Sequence, residues 1–390
     1  IEEVIRNQFI VDEGDPLNNV LLEKSLNDIR SLRIFKNTDV KINEGSTENY
    51  KILDFFVEEQ PTGEVSIAAG FGTNGLSSGF SLNEKNFGGR GINLASEIEI
   101  SEDSIKGQLS YIKPNFAYTD NALFTTFKSI NNDFLSVYGY ETKELGFSIG
   151  TEFEQYENFF LSPEINFLVE DLSTNTGASN NIKKQEGNYF DFYFNYGIKY
   201  DQRDNSFNPK EGFISQFNQE LPVISENNEL VNILNLTGYK ELNKNTEMIG
   251  RASLYLKTIN TFDGSDARIS KRGNIPYNRL RGFERGKVGP VDGNDYVGGN
   301  YVSSLNLSAN LPNILPTIEI VDFNYFIDVA NVWGVDYDKN LDNSKIRSST
   351  GIGVNFTTPI GPLSFSLSQA ITKADTDKTE TFRFNLGTSF

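Results

Sequence analysis

The stretch Phe190-Asp-Phe-Tyr-Phe-Asn-Tyr-Gly-Ile-Lys-Tyr200 alternates without a break. Phe190, Phe192, Phe194, Tyr196, Ile198 and Tyr200 fall on one side, and Asp191, Tyr193, Asn195, Gly197 and Lys199 on the other. Successive side chains of a β-strand point to opposite faces, so this is a strand with one aromatic-rich face. Six large apolar side chains on one face need an apolar medium, which a sandwich core or a lipid bilayer supplies.

The same period recurs in both directions from this strand. Val65, Ile67, Ala69 and Phe71 alternate with Ser66, Ala68 and Gly70; Val321, Phe323, Tyr325, Ile327 and Val329 alternate with Asp322, Asn324 and Asp328. At the end of the chain, Phe382, Phe384, Leu386, Thr388 and Phe390 alternate with Arg383, Asn385, Gly387 and Ser389. About sixteen such segments run from 63–72 to 380–390, among them 297–311 and 318–331. A membrane barrel needs strands of roughly 9 to 11 residues, apolar at every second position, in an even number. The expectation is a mainly β chain: a 16-stranded antiparallel transmembrane β-barrel over 61–390, closed because an open edge in hydrocarbon would leave backbone groups unpaired. Its connections alternate between tight ones, such as Thr358 to Leu363 with Pro359 and Gly361, and long ones, above all 259–296.

Composition fits this reading. The chain has 31 Phe, 17 Tyr and 33 Gly against one Trp, and its mean hydropathy of -0.40 is what alternation produces. No apolar run reaches the 18 residues of a helical span. A formal charge of -18 argues against nucleic-acid binding, which needs a basic face. With no Cys and no His, disulfides, thiolate nucleophiles and imidazole bases are excluded. No pair of carboxylates is placed by sequence for acid/base work, so neither an enzyme nor a cofactor is expected.

Residues 1–60 differ. Asn18 to Leu32 sets Leu22, Leu26 and Ile29 at helical spacing, a shorter helix is expected over Glu2 to Phe9, and strands over Thr38 to Asn43 and Tyr50 to Glu58 flank a turn at Glu44-Gly45-Ser46. Two helices and two strands make a thin α+β core, so a further strand upstream of Ile1 is expected to complete the sheet, and the chain reads as a fragment or processed product.

From Thr261 to Lys287, Arg268, Lys271, Arg272, Arg279, Arg281, Arg285 and Lys287 outnumber Asp263, Asp266 and Glu284, a local excess of positive charge in an acidic protein. Such a loop would be drawn into an acidic lumen, or would stay outside to meet anionic lipopolysaccharide. Within it, Arg281-Gly282-Phe283 combines a planar fork for a carboxylate, a conformationally free residue and a wedge, and Asp328, on the polar face of its strand, is the candidate partner. The first strand carries Gly63, Gly70 and Gly72, which weaken packing across a seam or simply ease barrel curvature.

Several stretches in order resemble the outer-membrane β-barrel assembly factors of the Omp85 superfamily. They are Asn86-Phe-Gly-Gly-Arg-Gly91, Tyr200-Asp-Gln-Arg-Asp204 with Pro209 and Gly212, Leu280-Arg-Gly-Phe283, Val297-Gly-Gly-Asn300, Phe326 to Trp333, and Phe382 to Phe390. Residues 1–60 look like part of the family's last POTRA domain. The resemblance implies that Arg281 pairs with Asp328 in the lumen, and that Ser308 stands where the family often has a second inner-wall acid. It implies a lateral seam of Gly63, Val65, Ile67 and Gly70 facing Phe382, Phe384, Leu386, Gly387 and Phe390, which templates incoming strands, together with local membrane thinning. It implies a cell-outer-membrane location with the N-terminal domain in the periplasm. The implied partners are unfolded outer-membrane clients, accessory lipoproteins, periplasmic chaperones, and outer-membrane lipid and lipopolysaccharide. The alternative within the family is a transporter that exports a soluble passenger through its lumen.

Overall fold

The computed structural model describes residues 2–11, 13–47, 49–243, 245–311, 321–342, 344–358 and 361–387. The N-terminal region begins with α1 (Glu2–Arg6) and α2 (Asn19–Ser31), followed by the hairpin β1 (Phe35–Glu44) and β2 (Lys51–Glu59). Asn18 caps α2, its side-chain oxygen accepting from the backbone N–H groups of Val20 at 2.9 Å and Leu21 at 3.3 Å. Val4, Ile29, Ile34 and Phe35 form a small core under the hairpin, and Phe9 packs on Phe55 with ring centroids 4.5 Å apart. α1 ends at Arg6, short of the expected Phe9, and both strands begin or end a residue or more beyond their expected bounds. Glu3 ties this region to the barrel through Lys113, at 3.1 Å.

The rest is one closed barrel. Its strands are β3 (Gly63–Gly72), β4 (Gly75–Phe87), β5 (Ile92–Ile100), β6 (Ser104–Lys113), β7 (Ala122–Phe134), β8 (Tyr140–Tyr156), β9 (Phe159–Thr174), β10 (Gly187–Asp201), β11 (Gly212–Ile224), β12 (Glu229–Asn243) and β13 (Met248–Thr261). After a loop hairpin of β14 (Val291–Asp292) and β15 (Asp295–Tyr296) come β16 (Tyr301–Asn310), β17 (Val321–Trp333), β18 (Arg347–Thr358), β19 (Gly361–Thr372) and β20 (Phe382–Gly387). Sixteen of these, all but β1, β2, β14 and β15, pair antiparallel with their neighbours, and β20 returns to β3. The 16-stranded barrel with its small α+β region is the expected architecture.

Alternation sets the two surfaces. Ile67, Phe80, Phe147, Phe190, Phe194, Ile352 and Leu367 stand exposed on the outer wall, whereas Glu170, Asp191 and Asp328 are buried inside. A soluble protein would bury the first group and expose the second; this polarity suits a hydrocarbon surround and a polar interior. Connections 175–186, 262–300, 334–342 and 373–381 share the end remote from the N-terminal region, while 88–91, 157–158 and 245–247 lie at the near end.

Two expected strands start late or fall partly outside the described residues. The segment expected to pair from 297 enters the barrel only at Tyr301: Val297 is buried in the loop cap, and Gly273 and Gly299 exchange backbone hydrogen bonds at 2.8 and 2.9 Å, so the preceding residues are held by the loop. Residues 318–320, Pro359, and Thr388, Ser389 and Phe390 lie outside the described residues.

Candidate functional site in the lumen and at the seam

The loop from 262 to 300 folds into the barrel because its cations find acids there. Arg281 grips the buried Asp328 carboxylate with both arms, Nε to Oδ2 at 2.7 Å and Nη2 to Oδ1 at 2.7 Å, and its backbone N–H donates to the same carboxylate at 3.0 Å. Its guanidinium lies 3.4 Å from the centre of the Phe326 ring. Asn306 donates to Asp328 at 2.8 Å and to the Arg279 carbonyl at 2.7 Å, so the β16 wall fixes both the acid and the loop. Gly282 adopts φ +89°, and a Cβ there would come within 3.2 Å of the Ser349 Cβ. Phe283 is buried with Leu280, Val288 and Ala330.

β20 also holds this motif, a link absent from the sequence reading. Arg383 donates to the carbonyls of Phe283 at 2.7 Å and Tyr277 at 2.8 Å, stacks 3.5 Å over the Tyr277 ring, and pairs with Glu380 at 2.5 Å. The one signal available in sequence was an arginine on the inward face of the terminal strand.

A second anchor lies nearer the remote end. Arg268 sits in a fully enclosed position among Glu170, Asp191 and Glu229 of β9, β10 and β12, bonding Asp191 directly and reaching Glu170 at 3.6 Å. Burial lowers the affinity of Arg268 for its proton, but the three acids outweigh it and the guanidinium is held more firmly protonated than usual. Arg272 pairs with Asp336, which also accepts from the Ala267 N–H at 2.7 Å and Asn300 at 2.8 Å. Above these ions, Tyr140, Leu172, Ile182, Ile269, Val297 and Val335 form an apolar cap over the remote end. Burial there pushes the Tyr138 hydroxyl up to about 12. These acids could not be picked from sequence, where many carboxylates alternate on strands and only register shows which face Arg268.

The predicted seam residues divide. β20 meets β3 through Asn385 with Gly72, Leu386 with Phe71 and Gly387 with Gly70. Thr73 reinforces this end, its N–H donating to the Phe384 carbonyl at 3.0 Å, and Phe71 packs edge-on to Phe384 at 5.6 Å. Phe382 stacks between Phe365 and Phe384 on the outer wall. Gly63, Val65 and Ile67 pair only with β4, opposite Glu84, Leu82 and Phe80, and have no partner on the other edge among the described residues. Val65 and Ile67 are 64% and 81% exposed. Phe390 lies outside the described residues. Gly387 has φ +83°, and a Cβ there would collide with the Ala69 carbonyl oxygen, so the strand can approach β3 only because this residue is glycine.

Residues 86–390 match the Omp85 superfamily domain. Over its whole length the chain is 23% identical to the outer membrane protein assembly factor BamA of Neorickettsia risticii and 23% identical to that of Neisseria meningitidis serogroup B, covering 53% and 55% of those proteins. The chain therefore spans about half the length of the curated relatives it matches. Among solved structures, BamA from Haemophilus ducreyi lacking POTRA domains 1–3 superposes with a TM-score of 0.92 at 22% identity, covering all of this chain and 82% of that one. CdiB from Acinetobacter baumannii superposes with a TM-score of 0.57 at 12% identity, again covering all of this chain and 72% of the other.

Proposed function

The chain belongs to the Omp85 superfamily, and from that premise we propose that it is a BamA-type factor that folds and inserts β-barrel proteins into the outer membrane. The observation that carries the reading is the seam. Among the described residues β20 and β3 share three register pairs, against a β8–β9 ladder that runs from Tyr140 to Tyr156, and each backbone hydrogen bond of a ladder contributes about 0.5–1.5 kcal/mol net. Among the described residues the edge of β3 from Gly63 to Ala69 has no strand partner, and its N–H and C=O groups offer a template for β-augmentation by an incoming strand. Arg281, Gly282, Phe283 and Asp328 set the loop in the lumen, and Arg383 couples that loop to the moving strand.

In this reading, residues 1–60 are the barrel-proximal part of a periplasmic POTRA domain. Unfolded outer-membrane clients arrive from periplasmic chaperones, accessory lipoproteins bind on the periplasmic side, and lipid and lipopolysaccharide surround the barrel. Export of a soluble passenger through the lumen is less well supported, because the loop and its apolar cap obstruct that path.

The test is a disulfide across the seam. Phe71→Cys with Leu386→Cys joins residues directly opposite each other in register, within the usual span of a disulfide, in a chain that has no other cysteine. Insertion of a reporter barrel into liposomes is expected to stop in the oxidised protein and return on reduction. Undiminished insertion by the fully oxidised form would remove the seam mechanism.

A further inference from the structure

The lumen encloses a cavity of about 1710 Å³ that reaches the end nearest the N-terminal region, where Phe207, Pro209 and Lys210 line it. Its charged lining is uneven: Lys106, Lys210, Arg251, Arg281, Arg285 and Arg383 face it, against Glu247 and Asp322. Five of the six cations are paired: Lys106 with Glu99 at 3.7 Å, Lys210 with Glu247 at 3.6 Å, Arg281 with Asp328, Arg285 with Asp103 at 2.9 Å and Arg383 with Glu380. Arg251 has no ion pair among the described residues, and its register partner on β16 is the neutral Ser308. Arg281, by contrast, keeps a bidentate carboxylate.

A second unneutralised cation stands beside it. Arg279 donates to the Ser253 hydroxyl at 2.6 Å and the Asn235 side-chain oxygen at 2.9 Å, both neutral acceptors, and forms no ion pair among the described residues. Burial, and then the positive charge of Arg251, weaken its hold on its proton. The nearby Asp328 is already engaged by Arg281. Arg251 lines the cavity, and Arg279 stands beside it on Ser253, two positions along β13; two neighbouring guanidinium groups repel each other until an anion joins them, and a guanidinium fork fits a carboxylate in two parallel hydrogen bonds.

We propose that Arg251 and Arg279 form a carboxylate-binding site for an acidic polypeptide segment that enters the lumen from the end of the N-terminal region. A polypeptide is the occupant the surroundings favour. The cavity walls carry Asn and Ser side chains such as Asn278, Asn324, Ser308 and Ser366, which offer donors and acceptors to a backbone. The remote end is covered by the apolar cap. The outer, lipid-facing wall lies on the opposite side of the strands, away from both arginines. The proposal needs only a folded barrel, so it stands or falls separately from strand templating.

The probe is a fluorescein-labelled extended peptide of alternating Glu and Ser, titrated with the purified protein in detergent micelles and followed by anisotropy. Binding that weakens with salt is expected, with about a tenfold loss in Arg251→Gln and in Arg279→Gln and a smaller loss in Arg251→Lys, which keeps the charge without the fork, each variant first shown to keep the wild-type thermal transition. Slower maleimide labelling of a single Ser308→Cys protein in the presence of peptide places the site in the lumen. Equal affinity for the Gln-Ser peptide, unchanged affinity in both glutamine variants, unaltered labelling at position 308, or complete displacement by inorganic phosphate at concentrations equal to the peptide's would each overturn the proposal, the last by making it a small-anion site.

Discussion

Arg281 illustrates how a single residue can be legible in sequence while its surroundings are not. Its partner Asp328 was identifiable because alternation put that acid on the polar face of β17 and a long cationic loop needed counter-charge. The Phe326 ring beneath it, the Asn306 bridge and the grip of Arg383 on Phe283 were not, because they depend on register between strands distant in sequence. Removing one partner of a buried, hydrogen-bonded ion pair typically costs about 3–5 kcal/mol. Arg281→Ala is therefore expected to release the 262–300 loop, seen as new protease cleavage there in a protein whose barrel still resists unfolding. Because lysine offers no planar fork, Arg281→Lys should protect the loop only partly. Equal protection in wild type and Arg281→Ala would show that the pair does not hold the loop.

Among the elements, β20 departs most from its neighbours. Sequence predicts a strand over 380–390 from its alternating apolar stripe, and the described ladder spans Phe382–Gly387. Alternation reports which face is apolar; it carries no information about which residues of an edge find a partner, so the three described pairs with β3 could not be read from Gly63 and Gly70. Gly387 controls the approach. With its positive φ and the Ala69 carbonyl against it, Gly387→Val is expected to part the seam, at about 1–2 kcal/mol from the left-handed backbone alone and more from the collision. Cross-linking yield between Phe71→Cys and Leu386→Cys in that background should fall. An undiminished yield would mean that β20 reaches β3 by another geometry.

On the scale of the whole molecule, charge explains why the barrel is not an open pore. A chain of formal charge -18 concentrates cations in one loop, and acids on the inner wall draw that loop in: Asp328 takes Arg281, while Glu170, Asp191 and Glu229 enclose Arg268. The direction of this attraction was readable from composition, and of the two readings left open for the loop the structure takes the inward one. The lumen is thereby blocked at the remote end. The N-terminal hairpin and helices stand at the opposite end, where β3 begins.

The central claim is that the seam edge of β3 receives a client strand in register. It is tested most directly by disulfide mapping between single cysteines at Gly63, Val65, Ile67 and Ala69 and a cysteine scan through the last strand of a stalled reporter barrel. The account predicts cross-links that advance along the client two residues at a time, antiparallel to β3, and none to a lumen cysteine at Ser366. Cross-links to Ser366 without any register along β3 would contradict it.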